Sequence, residues 1–419
     1  MLSIRRFNQA IAQLTLKAES DNFVIHYGLR NPAQGRGFGP MGVRWEWLVP
    51  SYLDALERAH RCMSIDFERS KPRTGTNGKT LVYVSELSEF TGGSPFTFDD
   101  PSRGPIIALP SRTEEPTRDG FVQRAISEAV HETAHVFNFT SRPSLVRFDP
   151  DPWTWFDEAT AVTLERMVLP WNADSLRYGM HWTDAPETPL DADGFWYESF
   201  PFVSHIGKRY GPDIAGRIWE EAAQDPVVRP LEVLSRLASG TGLPYHGPDP
   251  TLEQVLCDFF ASAYFSWDQQ SWSFAPDLFA RYGERNLTES FVLGQVGKST
   301  KAVDRLNHLA VRYYRVFARA DYHHLEVKVT TQARARRSPL YAAVIAVSEK
   351  DWRPGLAQPL TAKANGDSVE MFGQISPKDP TGVDHFIVVV ANCGVRADTG
   401  DPKKTHDDDQ QLTLRVKLI

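Results

Sequence analysis

The first part of the chain combines short β-rich runs with one helical segment. Residues 21–29 and 79–87 have strand composition, and residues 49–62 carry apolar side chains at helical spacing. A further β-rich run, PIIALPS, occupies residues 105–111. The pattern predicts that residues 1–116 form a small sheet with a helix packed on it.

The middle of the chain repeats apolar residues at the spacing of amphipathic helices, and prolines and glycines separate the segments. The pattern predicts helices at residues 121–138, 157–168, 199–210, 212–224, 231–238 and 252–265. We expect residues 117–300 to be a helical part that shares one domain with the preceding sheet.

From about residue 301 the pattern changes to that of strands. β-rich runs without an intervening helix occur at residues 309–317, 324–330, 340–348, 368–375, 385–393 and 411–419. Such a series predicts that residues 301–419 form a separate antiparallel β-sandwich domain. The fold class expected for the whole chain is therefore α+β.

Composition narrows the class of protein. The chain has 419 residues, of which 41% are hydrophobic and 24% charged, as in folded proteins of more than one domain. Its net charge of -7 gives no electrostatic basis for binding nucleic acid. No run of 18 or more apolar residues occurs, so we expect no membrane insertion. No signal peptide is recognised either, which favours the cytoplasm by default or export by another route.

The three cysteines, Cys62, Cys257 and Cys393, lie far apart along the chain. They do not form the spacing of a zinc site or of a disulfide framework. We interpret them as small core residues.

One predicted helix carries a metal-binding pattern, His131-Glu132-x-x-His135. Residues four apart lie one turn above each other, so both imidazoles leave the same face and can reach one ion. Neutral imidazoles at this spacing suit zinc, and Glu132 is placed to take a proton from a water molecule. The alternative is two surface histidines on an amphipathic helix, against which the apolar neighbours Ile126 and Val130 argue.

The residues after this motif exclude one class of zinc peptidase. A metzincin would continue with glycine three residues after the motif and histidine six residues after it, where this chain has Asn138 and Ser141. A third ligand must therefore come from another segment.

The sequence resembles the bacterial peptidase MA-like proteins of the gluzincin clan. Their motif helix is followed by an aromatic residue and Glu-x-x-Ala, matched here by Trp155, Glu158 and Ala161. A later segment, YESFPFVSHIGKRYG at residues 197–211, is also similar, and the resemblance covers about residues 22–286. It implies a zincin-like catalytic region in which Glu158, separated from His135 by 22 residues, is the third zinc ligand.

The resemblance also implies a donor for the oxyanion that forms during peptide hydrolysis. Tyr197 is favoured because its context matches the family pattern, and Tyr178, His181 and His205 remain candidates. A tyrosine packed in a helix with its hydroxyl at the surface is an equally simple explanation for Tyr197.

Two acidic residues near Glu158 have open roles. Thermolysin-like enzymes place an aspartate four residues after the third ligand to orient a histidine, but Val162 stands there in this chain. Asp157 and Glu165 are the possible replacements, and solvent exposure is the common alternative for both. Asp157 is also the rival third ligand.

The function expected from these features is a zinc-dependent metalloendopeptidase that hydrolyses a peptide or protein, glycoproteins included. The resemblance further implies that PIIALPS is the edge strand on which an extended substrate lies, and the alternative is an internal strand. The alternative function is a non-catalytic or glycoprotein-binding protein that uses the C-terminal β-sandwich on a peptidase scaffold.

Overall fold

The structure, a computed structural model, describes a large part of the chain. The described residues are 14–28, 48–75, 77–85, 94–100, 102–111, 118–142, 153–170, 173–224, 228–239, 251–264, 287–319, 323–331, 340–348, 353–354, 357–365, 368–376, 383–394 and 410–419. They form helices and three sheets in two compact units. The first unit consists of Met1–Ser175 and Val203–Leu234, and the second of Leu176–Phe202 and Ser235–Ile419.

The first unit contains a five-stranded mixed sheet. Its strands are β1 (Leu16–Glu19), β2 (Phe23–Tyr27), β3 (Thr80–Ser85), β4 (Phe96–Asp100) and β5 (Gly104–Pro110), and their order is β1-β2-β3-β5-β4. The three inner strands are parallel, whereas β1 and β4 are antiparallel to their neighbours. Every residue of β5 is buried, as expected of a strand covered on both faces.

Helices pack against this sheet. The described helices of the chain are α1 (Leu48–Ile65), α2 (Arg118–Ser141), α3 (Thr154–Val168), α4 (Ala173–Asp184), α5 (Phe200–Tyr210), α6 (Ile214–Gln224), α7 (Pro230–Ser239) and α8 (Leu252–Tyr264). Helix α2 contacts β4, β5, α1, α3 and α6, so it is central to the first unit. Its residues 129–139 are buried on every side, which leaves no solvent-exposed face beside the histidine motif.

The second unit contains two sheets that enclose one core. The described strands here are β6 (Leu287–Leu293), β7 (Ser299–Leu306), β8 (Ala310–Ala318), β9 (Leu325–Thr331), β10 (Leu340–Ser348), β11 (Arg353–Pro354), β12 (Gln358–Pro359), β13 (Thr361–Asn365), β14 (Ser368–Ile375), β15 (His385–Asn392) and β16 (Gln410–Leu418). One sheet has the order β11-β10-β15-β8-β6, with β12 also paired to β10, and the other has the order β13-β14-β9-β16-β7. Alternate residues of both sheets, such as Val388 and Leu414, form a continuous apolar cluster.

The α+β class is confirmed, but some details differ from the prediction. The run PIIALPS was expected at the sheet edge, yet β5 pairs with both β3 and β4, and β4 holds the edge position. The sandwich was expected to be antiparallel, yet β6 pairs with β8 in parallel. Strand β6 precedes residue 301, and the compact unit that contains both of these sheets also includes helix α8. Among the described helices, none has the length and apolar composition needed to cross a membrane.

Candidate metal centre

The histidine motif lies in the middle of helix α2. His131 and His135 are one helical turn apart, their ring centroids are 4.9 Å from each other, and both side chains are buried. One ligand atom each from His131, Glu132 and His135 falls within a mutual distance of 4.8 Å. The local sequence therefore gathers three buried polar groups on one helix.

Helix α3 brings Glu158 to the two imidazoles. The Oε2 atom of Glu158 lies 2.9 Å from Nε2 of His131 and 3.5 Å from Nε2 of His135. The two helices approach closely because α3 presents buried small residues, including Ala159 and Ala161, directly after Glu158. One carboxylate oxygen and two imidazole nitrogens thus converge on a single point.

The opposite ring nitrogens are held by two other carboxylates. Nδ1 of His131 lies 2.6 Å from Oε1 of Glu165, whose Oε2 accepts a hydrogen bond from Ser127 at 2.5 Å. Nδ1 of His135 lies 2.9 Å from Oδ1 of Asp157. When each Nδ1 donates to its carboxylate, each Nε2 keeps a lone pair that faces Glu158.

These contacts distinguish the two neighbouring acids at the start of helix α3. Asp157 contacts Nδ1 of His135 and accepts a hydrogen bond from Nδ2 of Asn138 at 2.8 Å. Glu158 contacts the Nε2 atoms instead. Asp157 therefore has the position of a group that orients His135, and Glu158 has the position of a ligand. Glu165 and Asp157 are both buried, so the alternative of solvent-exposed acids is wrong for each.

Glu132 makes its side-chain contact with the sheet. The hydroxyl of Thr97, on the edge strand β4, lies 2.7 Å from Oε2 of Glu132 and 3.1 Å from its main-chain oxygen. Glu132 is only 4% exposed, so this hydroxyl is an important polar contact for a buried carboxylate. Strand β4 is thereby linked directly to the residue expected to act as the base.

The electrostatics of the cluster favour positive charge at the imidazoles. Burial by itself would lower the pKa of His131, but hydrogen bonds to Glu158 and Glu165 and their charges raise it to about 10. The pKa of His135 is likewise raised against the effect of burial, by Asp157 and Glu158. Burial raises the pKa of Glu132 despite the opposing effect of both imidazoles. A divalent cation supplies the same positive charge in place of the two protons.

The donor set fits zinc. Ligand atoms about 2.0–2.1 Å from a tetrahedral zinc ion lie about 3.3 Å from one another. The separations of 2.9 Å and 3.5 Å between the Glu158 oxygen and the two Nε2 atoms are on either side of that value. Two neutral imidazoles and one carboxylate also make the ligand set of known catalytic zinc sites, which leave a fourth position for water.

The four candidates for the oxyanion donor are divided between the two units. Tyr197 belongs to a short 3₁₀ turn of the second unit, where its ring stacks on that of Tyr178 at 5.0 Å. His181 lies 3.3 Å from Glu198 in the same unit. His205 lies on helix α5 in the part assigned to the first unit, and burial lowers its pKa to about 3. The role of Tyr197 stays a prediction.

Sequence reasoning did not identify Thr97, Ser127 and Asn138 as supporting residues. Ser127 precedes His131 by four residues, so helical spacing places it on the same face and was an available signal. The sequence pattern indicated only that Asn138 stands where a metzincin would have glycine. No local signal identifies Thr97, because its contact with Glu132 arises from the packing of β4 on helix α2.

Comparisons with known proteins give no close relative. No model of a protein family matches the chain, and no curated protein matches it. One solved structure, the pre-peptidase C-terminal domain of a collagenase from Bacillus anthracis, has 12% identity and a TM-score of 0.17, and the match covers 30% of this chain and 94% of that chain. A conserved protein of unknown function from Bacillus anthracis strain Ames has 11% identity and a TM-score of 0.27, covering 93% of this chain and 75% of that chain. Neither likeness is close enough to bear on the fold or the function of this protein.

Proposed function

We propose that the protein is a zinc-dependent metalloendopeptidase with a zincin-like catalytic region of the gluzincin type. The observation that carries the proposal is the convergence of one Glu158 oxygen on the Nε2 atoms of His131 and His135. The presence of Glu132 beside this trio adds the base that hydrolysis requires. The resemblance of the sequence to peptidase MA-like proteins supports the same assignment.

His131, His135 and Glu158 would hold the zinc ion. When bound, zinc would supply a Lewis acid that polarises the scissile carbonyl and makes a water molecule more acidic. Asp157 and Glu165 would keep the imidazoles in the tautomer that presents Nε2, since each accepts from an Nδ1 atom. The chain thus provides both the ligands and the groups that orient them.

Glu132 would take a proton from the attacking water and pass it to the leaving amine. Burial raises the pKa of this carboxyl, and a raised pKa is the direction of change that suits a group that both accepts and donates a proton. The Thr97 hydroxyl would hold the carboxylate in one orientation. Tyr197 is the favoured donor to the oxyanion on the strength of the family resemblance.

The edge strand β4 supports a peptide as the substrate. Within the described part of the chain, β4 pairs only with β5, so its other side offers main-chain donors and acceptors. An extended peptide or protein segment would add there as a further strand, next to the strand residue that contacts Glu132. Glycoproteins belong to the same substrate class.

The competing function is a non-catalytic or glycoprotein-binding protein on a peptidase scaffold, with the C-terminal β-sandwich as its binding part. Such a protein does not need the buried carboxylate of Glu132 or the hydroxyl of Thr97 that contacts it. Burial of a carboxylate is unfavourable. The Thr97–Glu132 contact therefore favours the enzyme.

The ligand assignment is tested by metal content. Purified wild type is expected to contain one zinc ion per chain by elemental analysis, and Glu158→Gln to lose most of it. Asp157→Asn keeps all three ligands and is expected to retain zinc with weakened affinity. Retention by Glu158→Gln together with loss by Asp157→Asn would reverse the two roles.

A further inference from the structure

Two cysteines of the second unit lie in contact. Cys257 on helix α8 and Cys393, directly after β15, are 136 residues apart in sequence, yet their sulfur atoms are 3.7 Å from each other. Both residues are buried, with 6% and 2% of their surface exposed. The separation along the chain gave no indication of this pairing.

Hydrogen bonds next to each cysteine fix the backbone that carries it. Near Cys257, the main-chain oxygen of Phe260 accepts a hydrogen bond from the hydroxyl of Tyr313 on β8 at 2.7 Å. Near Cys393, the side-chain oxygen of Asn392 accepts from the main-chain nitrogen of Gly394 at 3.0 Å. Helix α8 also packs on β10 and β15. The two thiols therefore face each other because of structure that does not depend on a bond between them.

We propose that Cys257 and Cys393 are a site of reversible covalent modification, a disulfide that ties helix α8 to the β-sandwich. A disulfide needs a sulfur–sulfur distance of about 2.05 Å, so the two sulfurs, 3.7 Å apart, must approach each other by roughly 1.7 Å. The bond would close a loop of more than one hundred residues. Cross-links that close long loops restrict the unfolded chain most.

The oxidant belongs to the class of small-molecule disulfides, such as glutathione disulfide. One cysteine loses its proton and attacks a sulfur of the oxidant, which forms a mixed disulfide and releases one thiol. The second cysteine, also deprotonated, attacks the protein sulfur of the mixed disulfide and releases the second thiol. Two protein thiols are thereby oxidised, and one disulfide is reduced to two thiols, which take up the two protons.

The environment predicts slow oxidation of the folded protein. Burial raises the pKa of the Cys257 thiol, with a further contribution from Cys393, so the reactive thiolate is scarce. The bond is expected to form slowly in native protein and faster when the chain folds in the presence of the oxidant. Cys62, in the first unit, is buried as well and has no cysteine partner among the described residues.

Peptide mapping of the full-length protein tests the proposal. Native protein and protein refolded from urea are each incubated with glutathione disulfide, unfolded, alkylated and digested without reduction. We expect a cross-linked peptide pair about 2 Da lighter than the sum of its two free-thiol peptides. Cys62→Ser is expected to keep this cross-link, and Cys257→Ser to lose it.

A melting experiment on the same samples provides a second measure. The oxidised wild type is expected to melt about 5–10 °C above its reduced form, whereas Cys257→Ser gives no such difference. Full alkylation of Cys257 and Cys393 in both samples would overturn the proposal. So would a cross-link to Cys62 in comparable yield, or an oxidised form that melts below the reduced form.

Discussion

Replacement of Glu165 by glutamine measures how much the outer carboxylates contribute to metal binding. The change keeps the size of the side chain and removes its charge. Glu165 accepts from Nδ1 of His131 at 2.6 Å and from the hydroxyl of Ser127 at 2.5 Å, and both partners are buried. A glutamine has only one acceptor oxygen, so at least one contact must change.

The expected loss of zinc affinity is about 10–100-fold, the usual effect of removing a group that orients a histidine ligand. This corresponds to about 1.4–2.7 kcal/mol, at 1.36 kcal/mol for each factor of ten. The short His131 contact and its burial favour the upper half of that range. Replacement of a direct ligand such as Glu158 should lower the zinc affinity considerably more.

Competition with a chromogenic chelator at fixed pH gives the affinity. Glu221→Gln is the matched control, since it makes the same chemical change at an exposed glutamate of helix α6 in the same unit. The control is expected to bind zinc as the wild type does. Glu165→Gln binding within twofold of wild type would refute the orienting role, and equal losses in both variants would show that the effect is unspecific.

Three other changes test separate parts of the account. Thr97→Val should lower kcat about tenfold with KM and zinc content unchanged, and Thr97→Ser should restore it, because the hydroxyl holds Glu132 rather than the substrate. Tyr197→Phe should lower kcat by about 10²–10³ with zinc retained, and a loss below tenfold would move the oxyanion role to another of the four candidates. Burial lowers the pKa of His385 to about 4, so between about pH 4 and about pH 6.5 the folded state binds fewer protons than the unfolded state. The stability of the fold should therefore fall as the pH drops through this range. The melting temperature of His385→Gln should depend less on pH than that of the wild type.

Local spacing predicted the centre of the site. The interval between His131 and His135 depends only on the pitch of a helix, which the apolar neighbours of the motif already indicated. The role of Glu158 as third ligand was inferred from the resemblance to gluzincins and not from spacing. The roles of Asp157 and Glu165 remained open because they depend on how helix α3 rotates against helix α2, which only tertiary packing determines.

The edge strand shows where the sequence pattern was misread. PIIALPS is almost continuously apolar, which is typical of a strand buried on both faces, and β5 is indeed an inner strand. The true edge strand β4, with the sequence FTFDD, is short and ends in two acidic residues within a stretch that reads as a loop. The short length of β4 suits an edge position, because edge strands are commonly short.

Several strands of the two C-terminal sheets could be predicted from the sequence. Runs such as those of β8 and β15 are long and apolar enough to be recognised as strands from composition. Strand β6 was missed because its first half, LTES, is polar and only its last residues face the core. Its parallel pairing with β8 joins residues distant enough in sequence that no local signal specifies it.

The central claim is that this site hydrolyses peptide bonds with zinc bound and with Glu132 as the base. The most direct measurement compares wild type and Glu132→Gln for zinc content and for new peptide termini produced from a mixture of unfolded proteins. The account predicts one zinc ion per chain in both, and cleavage that falls at least 10²-fold in the variant. Equal cleavage by both proteins would contradict the mechanism, and a wild type that holds zinc but cleaves nothing would favour the scaffold function.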